Sequence, residues 1–379
     1  MNRKLEKITI IGLGLIGGSI AKGLRRVYSN MKIVSVDINE KSLDKAICTQ
    51  VIDIAYKVTN GVIDNAVDSD MMQRFENDMV SSDIIFLCTE LNASRYIIDR
   101  LSLILNGKNV ILTDVFSTKT EISDIFQNTK INYIGGHPMA GSEQSGYAAS
   151  SEYLLENAMY ILCPEVDSKE DDIEFLKNVI KDIGAIPYIM SPLIHDEAMA
   201  RISHLPHIVA AALVNTAANF PEQEILRTLA AGGFKDITRI ASGDPELWKN
   251  ITVSNRKNVI KAIEDVTEYL ARYKKALQQS DKDELHLLFE SAQNEREEYE
   301  TGRKAIMNLM YELNIDVPDR PGIIAEISTK LKDNNINIKN IYIAESRENE
   351  LGCMRLAFLT KEERDRAEEI LSPDKGFKE

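Results

Sequence analysis

Four of the chain's five histidines fall in two short segments. His137 lies in residues 135–146, GGHPMAGSEQSG, between a glycine pair and a proline; His195, His204 and His207 share the run HDEAMARISHLPH. Imidazole, with an ordinary pKa of about 6.5, can take and return a proton near neutral pH. The glycine-rich segment is unsuited to a helix, and residues 131–134 before it read as the end of a short strand. His137 is therefore expected on a loop at the carboxyl edge of a sheet, where open α/β folds place their chemistry. On these residues alone, an ordinary connecting loop is an equal reading.

The three later histidines raise the question of a metal. At about 100° per residue, His195 and His204 point to opposite faces of a straight helix, so a shared ion would need a large bend. His204 and His207 alone lack the cysteine or carboxylate of the usual ligand sets, and no metal is expected. A helix kinked at Pro206 accounts better for the segment. It presents Ser203 and His207, one turn apart, to a cleft; His204 reads equally as a packing histidine. Downstream, GGFKDITRIASGDPELW supplies Lys235, Asp236, Arg239 and the only tryptophan, Trp248. The planar fork of arginine suits a carboxylate, although a single arginine is ordinarily a surface charge.

Elements that could position these groups begin at the N-terminus. A β-branched run at residues 8–11 leads into G-L-G-L-I-G at 12–17, then a helical pattern. A second strand, 33–36, ends in Asp37, 25 positions after Gly12. This is the dinucleotide fingerprint in its required context. Gly12 permits the tight turn, Gly14 a close approach to pyrophosphate, and Gly17 close helix–strand packing; Leu15 and Ile16 open the helix whose N-terminus meets the phosphates. Asp37 suits the ribose hydroxyls and repels a 2′-phosphate, and Ile38 and Asn39 add no cation, so the cofactor is read as NAD and not NADP. Thr89, just past a strand at 84–88, is assigned to the same site.

Further strands are expected at 109–113, 132–134, 159–162 and 185–190, with helices at 93–105, 119–127 and 170–183. The alternation predicts a doubly wound, mainly parallel, Rossmann-type α/β domain over residues 1–191. Residues 192–304 show no strand pattern and predict an all-helical substrate and dimerisation domain. Its helix at 255–279 carries Val259, Ile263, Val266, Leu270, Tyr273 and Leu277, a stripe able to bury against another helix of the domain or of a partner subunit. Residues 305–379 follow a β-α-β-β-α order, a small ferredoxin-like α+β unit in which only Gly376-Phe377 could begin a last strand.

Bulk properties narrow the partners. A net charge of −14 and a pI near 5.0 argue against nucleic acid and anionic membranes, so an anionic substrate needs a local positive site. Four scattered cysteines, Cys48, Cys88, Cys163 and Cys353, suggest buried free thiols in a reducing, cytoplasmic setting. The basic residues before the apolar run at position 8 could suggest a secretory signal, but the nucleotide-type glycines within the run argue against one. No stretch is long and apolar enough to span a membrane.

Taken together, the N-terminal G-x-G-x-x-G, D-V-x-S-x-K at 114–119, GGHPMAGSE, HD…SHLPH and GGFKD-TR resemble the bacterial prephenate dehydrogenases that carry a C-terminal ACT domain, over nearly the whole chain. The resemblance implies that His137 hydrogen-bonds the ring hydroxyl of prephenate and that Ser117 orients this contact beside the nicotinamide. It implies that His207 and Arg239 hold the substrate, with Ser142, Glu143 and Ser203 in the same site and Glu143 and Asp236 in an ionic network with Arg239. It further implies a homodimer and control by L-tyrosine through the ACT unit. There Arg320, Gly322 and Asn337, in the D-R-P-G turn and the next strand's approach, would form the effector site; the alternative is that the unit only dimerises the enzyme. Phe116, where relatives often carry a small residue, and the short final strand depart from the pattern. Competing readings are an arogenate dehydrogenase, a β-hydroxyacid dehydrogenase and a non-catalytic NAD-responsive binding protein.

Overall fold

Nine strands form one sheet in the computed structural model, which describes residues 3–59, 62–63, 69–89, 91–127, 129–141, 144–306, 311–318, 320–343, 352–358 and 360–371. The strands are β1 (Lys7–Ile11), β2 (Lys32–Asp37), β3 (Ile54–Thr59), β4 (Val62–Ile63), β5 (Ile84–Leu87), β6 (Ile111–Asp114), β7 (Asn132–Pro138), β8 (Met159–Pro164) and β9 (Ile186–Ile189). Their spatial order is β4-β3-β2-β1-β5-β6-β7-β8-β9. All pairings are parallel except β3–β4 and β7–β8. The chain builds outward from β1 in one direction, then returns to β1 and builds the other way from β5. That reversal opens a crevice at the carboxyl ends of β1 and β5, where doubly wound sheets bind ligands.

Helices α1 (Leu15–Val27), α2 (Glu40–Cys48), α3 (Ser69–Val80), α4 (Leu91–Ile104), α5 (Thr120–Phe126) and α6 (Glu170–Asp182) are interleaved with these strands. Strand alternation divides the core into two layers. Ile8, Ile10, Ile84, Phe86 and Ile111 pack with Ile20 and Leu24 of α1 and Leu176 and Ile180 of α6. Ile11, Ile85, Leu87 and Leu112 face Phe75, Met79, Ile98 and Leu101 on the other side.

Two strands, β3 and β4, fall where the sequence reading has none. Tyr56 and Val58 of β3 alternate inward, and Tyr56 meets Phe75 edge-on at 5.3 Å between ring centroids. Cys48 also differs from expectation: it is exposed at the end of α2, whereas Cys163 is buried.

The all-helical part begins with α7 (Pro192–Met199), a π-helical turn (Ala200–His204) and α8 (Leu205–Ala218). The interruption therefore precedes Pro206 and is a widened turn: Leu205 N donates to Ala200 O, five residues back. Proline lacks an N–H and crowds the preceding turn, which favours such a bulge. Helices α9 (Gln223–Leu229), α10 (Gly232–Thr238), α11 (Pro245–Ser254) and α12 (Arg256–Gln279) follow, with a 3₁₀ turn (Arg239–Ser242) between α10 and α11. Val259 and Ala262 of α12 are buried against Ala200, whereas Ile263, Leu270 and Leu277 of the same stripe remain exposed.

The chain divides into two compact units, Met1–Glu268 and Tyr269–Glu379. The second holds the end of α12, α13 (Lys282–Ile306), β10 (Tyr311–Val317), α14 (Ile323–Asp333), β11 (Asn340–Ile343), β12 (Gly352–Phe358) and α15 (Lys361–Leu371). Its antiparallel sheet has the order β10-β12-β11 and packs Leu313, Met354, Leu356 and Phe358 against Ile327 and Leu331 of α14 and Ala367 of α15. The fold is thus a Rossmann-like α/β domain, a helical region and a small α+β domain. Gly376-Phe377 lies outside the described residues. No helix among the described residues is long and apolar enough to cross a membrane.

Candidate active site

The glycine turn after β1 is built as a dinucleotide cradle. Gly12 has φ of +97°, a left-handed backbone that disfavours side chains, and a Cβ there would sit 2.7 Å from the Cys88 backbone and 2.9 Å from Thr89. A Cβ on Gly17 would lie 2.0 Å from Gly12 O, so α1 closes onto the turn only with glycine. Beyond Gly14, by contrast, there is open space within 4 Å. No side chain caps α1 and its first turn carries no acid, so its leading N–H groups, including those of Leu15 and Ile16, favour an anion. Asp37 accepts from Leu13 N and, at 2.6 Å, from Asn39 N, which fixes the carboxylate at the end of β2. Each oxygen keeps a lone pair for a ribose hydroxyl. These features fit a dinucleotide.

Thr89 and Ser117 share a neighbouring cleft of about 550 Å³, lined also by Cys88, Phe116, Asn250 and Arg256. Phe116 thus forms part of the wall beside Ser117.

His137 is in a strand and not on a loop. Antiparallel β8 captures the whole segment as far as Pro138, with His137 opposite Ile161, because glycines tolerate extended backbone. Its Nδ1 lies 2.8 Å from His195 Nε2, with the rings edge-on at 5.0 Å between centroids. Part of its surface opens to solvent, yet the ring is set deep in the protein. Burial first, then the neighbouring His195, the Lys119 cation and His204, hold its pKa well below 6.5. His137 is therefore neutral at pH 7 and able to accept a proton.

The other histidines converge on the same region. His195 is fully buried and its Nδ1 lies 2.8 Å from Asp196 Oδ1. Asp196, in turn, accepts from the backbone N–H groups of Lys119 (2.7 Å) and Thr120 (2.8 Å). His204 is buried, with burial lowering its pKa to about 4, and Asn255 Nδ2 reaches its Nδ1 at 3.2 Å. The His207 ring stacks on Trp248 with centroids 3.4 Å apart, and its Nδ1–H donates to Ser203 O at 3.0 Å. Burial lowers the His207 pKa against the Ser203 hydrogen bond, which raises it, and the Arg239 cation lowers it further from within electrostatic reach. Ser203 thus contributes its carbonyl oxygen to His207. Ser142 and Glu143 lie outside the described residues, and Asp236 is exposed on α10.

Sequence reasoning gave no role to His195, Asp196, Asn255 or the Asp114–Lys119 pair. Asp114 and Lys119 are fully buried and ion-paired, and Asp114 also accepts from Phe116 N at 2.8 Å and from the Tyr133 hydroxyl. The available signal was an aspartate directly after a histidine, but the partner of that pair lies 58 positions upstream. No group of three or more His, Cys, Asp or Glu among the described residues could hold a metal ion.

In the second unit, Gly322 caps α14 with φ of +88°. Arg320 pairs with Glu326 at 2.6 Å, and Asn337 is exposed. Asp319 lies outside the described residues.

Three family models match the chain: prephenate dehydrogenase, nucleotide-binding domain, at residues 20–188; prephenate dehydrogenase, dimerization domain, at 191–291; and the ACT domain, at 311–369. The prephenate dehydrogenase of Bacillus subtilis (strain 168) is 34% identical over 375 residues, which covers 98% of this chain and 97% of that protein. The crystal structure of prephenate dehydrogenase from A. aeolicus in complex with hydroxyphenyl propionate and NAD+ superposes with a TM-score of 0.69 at 33% identity, covering 79% of this chain and 100% of that one. Synechocystis arogenate dehydrogenase superposes at 0.65 with 30% identity, covering 77% and 99%.

Proposed function

The chain belongs to the prephenate dehydrogenase family, as an NAD-dependent dehydrogenase of the prephenate/arogenate type in aromatic amino-acid biosynthesis, and from that premise we propose that its substrate is prephenate and its product 4-hydroxyphenylpyruvate. The supporting observation is a neutral, proton-accepting His137 linked through His204 to the His207–Trp248 stack, with Arg239 within electrostatic reach of His207. Prephenate is a cyclohexadienol with two carboxylates. Its oxidation needs a base at the hydroxyl, a cation for a carboxylate and a held hydride acceptor. NAD+, when bound, supplies that acceptor.

In this reading His137 takes the hydroxyl proton as hydride leaves the carbinol carbon. It returns the proton to the ring oxygen as CO₂ departs and the ring becomes a phenol. Ser117 orients the hydroxyl, Arg239 grips a carboxylate, and His207, braced on Trp248, fixes the ring's tilt. Ser142, Glu143 and Ser203 belong to the same substrate site. Aromatisation drives the step, so the residues chiefly orient the substrate and move one proton. Purified protein assayed with prephenate and arogenate, each with NAD+ and NADP+, tests the reading. Turnover of prephenate with NAD+ is expected to exceed the other combinations; faster turnover of arogenate would assign the chain to the alternative substrate.

Cofactor choice rests on Asp37. Its carboxylate, pinned by Leu13 N and Asn39 N, would face a 2′-phosphate with like charge. Asp37→Ala is expected to narrow the preference for NAD+ over NADP+, read as the ratio of kcat/KM values. Equal efficiency of both cofactors with the unmutated protein would overturn the assignment.

Homodimerisation is proposed from the exposed apolar side chains of the helical region, among them Ile263, Leu270 and Phe234. Light scattering should give twice the chain mass. L-tyrosine, the end product of such a pathway, is proposed to bind the ACT unit around Arg320, Gly322 and Asn337. A side chain at Gly322 would strain its left-handed backbone, and an aspartate would also repel the effector's carboxylate. Gly322→Asp is expected to abolish tyrosine inhibition while leaving turnover intact. Inhibition that persists in this variant would place tyrosine elsewhere.

A further inference from the structure

Asp196, His195 and His137 form one hydrogen-bonded line. Asp196 Oδ1 is 2.8 Å from His195 Nδ1, and His195 Nε2 is 2.8 Å from His137 Nδ1. His195 and Asp196 are 0% and 1% exposed. The carboxylate is anchored by two backbone donors, Lys119 N on the same Oδ1 that meets His195 and Thr120 N on Oδ2, so it cannot swing away.

The protonation pattern along this line follows from its acceptor end. Burial alone would raise the Asp196 pKa, but the His195, Thr120 and Lys119 hydrogen bonds outweigh it and hold the group ionised. A carboxylate only accepts, so His195 must donate from Nδ1. Burial keeps His195 neutral, which leaves its Nε2 as an acceptor. His137 must then donate from Nδ1, and the lone pair falls on its Nε2. Each assignment forces the next.

We propose that His195 and Asp196 are positioning residues that lock His137 in the tautomer whose Nε2 accepts the substrate proton. The proposal rests on the reading of His137 as the base. It also gives a physical reason for burying a histidine and a carboxylate where hydrophobic residues would pack. When His137 Nε2 gains its proton, the resulting cation is hydrogen-bonded through His195 to a fixed anion. A buried carboxylate that orients an imidazole works on the same principle in hydrolytic triads. Here a second imidazole is interposed.

The test uses the full-length protein, ¹⁵N-labelled at histidine; the chain has only five, and His137→Asn identifies the His137 signals by their loss. At neutral pH the His137 spectrum should show Nδ1 protonated and Nε2 bare. In Asp196→Asn a carboxamide turned with its NH₂ to His195 Nδ1, which gives up the Lys119 N bond at that position, reverses the chain and puts the His137 proton on Nε2. Turnover should then fall by about 10²–10⁴-fold, with KM for prephenate changing far less. His195→Gln and His195→Leu leave the Asp196 clamp on Lys119 and Thr120 in place and keep the test open if Asp196→Asn misfolds. Glutamine retains an acceptor for His137 Nδ1, so its kcat should exceed that of the leucine variant by about tenfold or more. A protonated His137 Nε2 in the unmutated protein, or equal kcat in the two His195 variants, would overturn the proposal. Undiminished turnover in His137→Asn would instead remove the underlying base assignment, so the two failures are distinguishable.

Discussion

His137→Asn is expected to lower kcat by about 10²–10⁴-fold, the usual contribution of a positioned base, with a smaller change in KM for prephenate. Asparagine can still hydrogen-bond the ring hydroxyl, but it cannot take the proton. Arg239→Ala should show the opposite division, with KM raised and kcat largely kept, because carboxylate recognition is shared by ground state and transition state. Steady-state kinetics with prephenate varied at saturating NAD+ separates the two. If Arg239 controlled turnover and His137 only affinity, the roles would be reversed. The acid side of the pH profile gives a second check. A base works when unprotonated, so activity persists as pH falls until it reaches the base's pKa. Burial, the neighbouring His195, the Lys119 cation and His204 hold that pKa well below 6.5. The acid limb of kcat/KM should accordingly lie below pH 6.5 and disappear in His137→Asn.

How much of this is legible in the sequence depends on how local the physics is. The glycine turn is set by six consecutive residues, and its requirements, a left-handed φ at Gly12 and contact of Gly17 with Gly12 O, were readable from spacing. The environment of His137 was not. The segment has the composition of a loop, and only pairing with β8, more than twenty residues on, makes it a strand. The histidine run was readable as a cluster but not as a geometry. The π turn at Ala200–His204 redirects the chain, and His195 meets His137 across 58 positions. Spacing on one helix carries no information about such a contact. β3 was missed although Ile54, Tyr56 and Val58 alternate, because a six-residue strand gives few repeats against which to judge a period.

Lys119→Met is expected to destabilise the protein by about 3–5 kcal/mol, because it leaves the Asp114 carboxylate buried without its cation. Both side chains are 0% exposed, and among the described residues Asp114 keeps Phe116 N, Tyr133 and Gly136 N as donors once the lysine is gone. The exposed pair Lys57–Glu40 is the control, since Lys57→Met should cost no more than about 1 kcal/mol. Urea denaturation of the three proteins gives the comparison. Adding Asp114→Asn to Lys119→Met should recover much of the loss, because removing both charges is far less costly than removing one. No recovery would mean that packing of the lysine stem, and not the ion pair, dominates. The same variants report on the active site, because the Lys119 charge helps hold the His137 pKa down. Its removal makes the imidazolium less unfavourable, so that pKa rises and the acid limb of kcat/KM moves to higher pH. The shift should survive in the double variant, where stability is largely restored but the cation is still missing. A limb that returned to its original position with stability would trace it to loosened structure instead of charge.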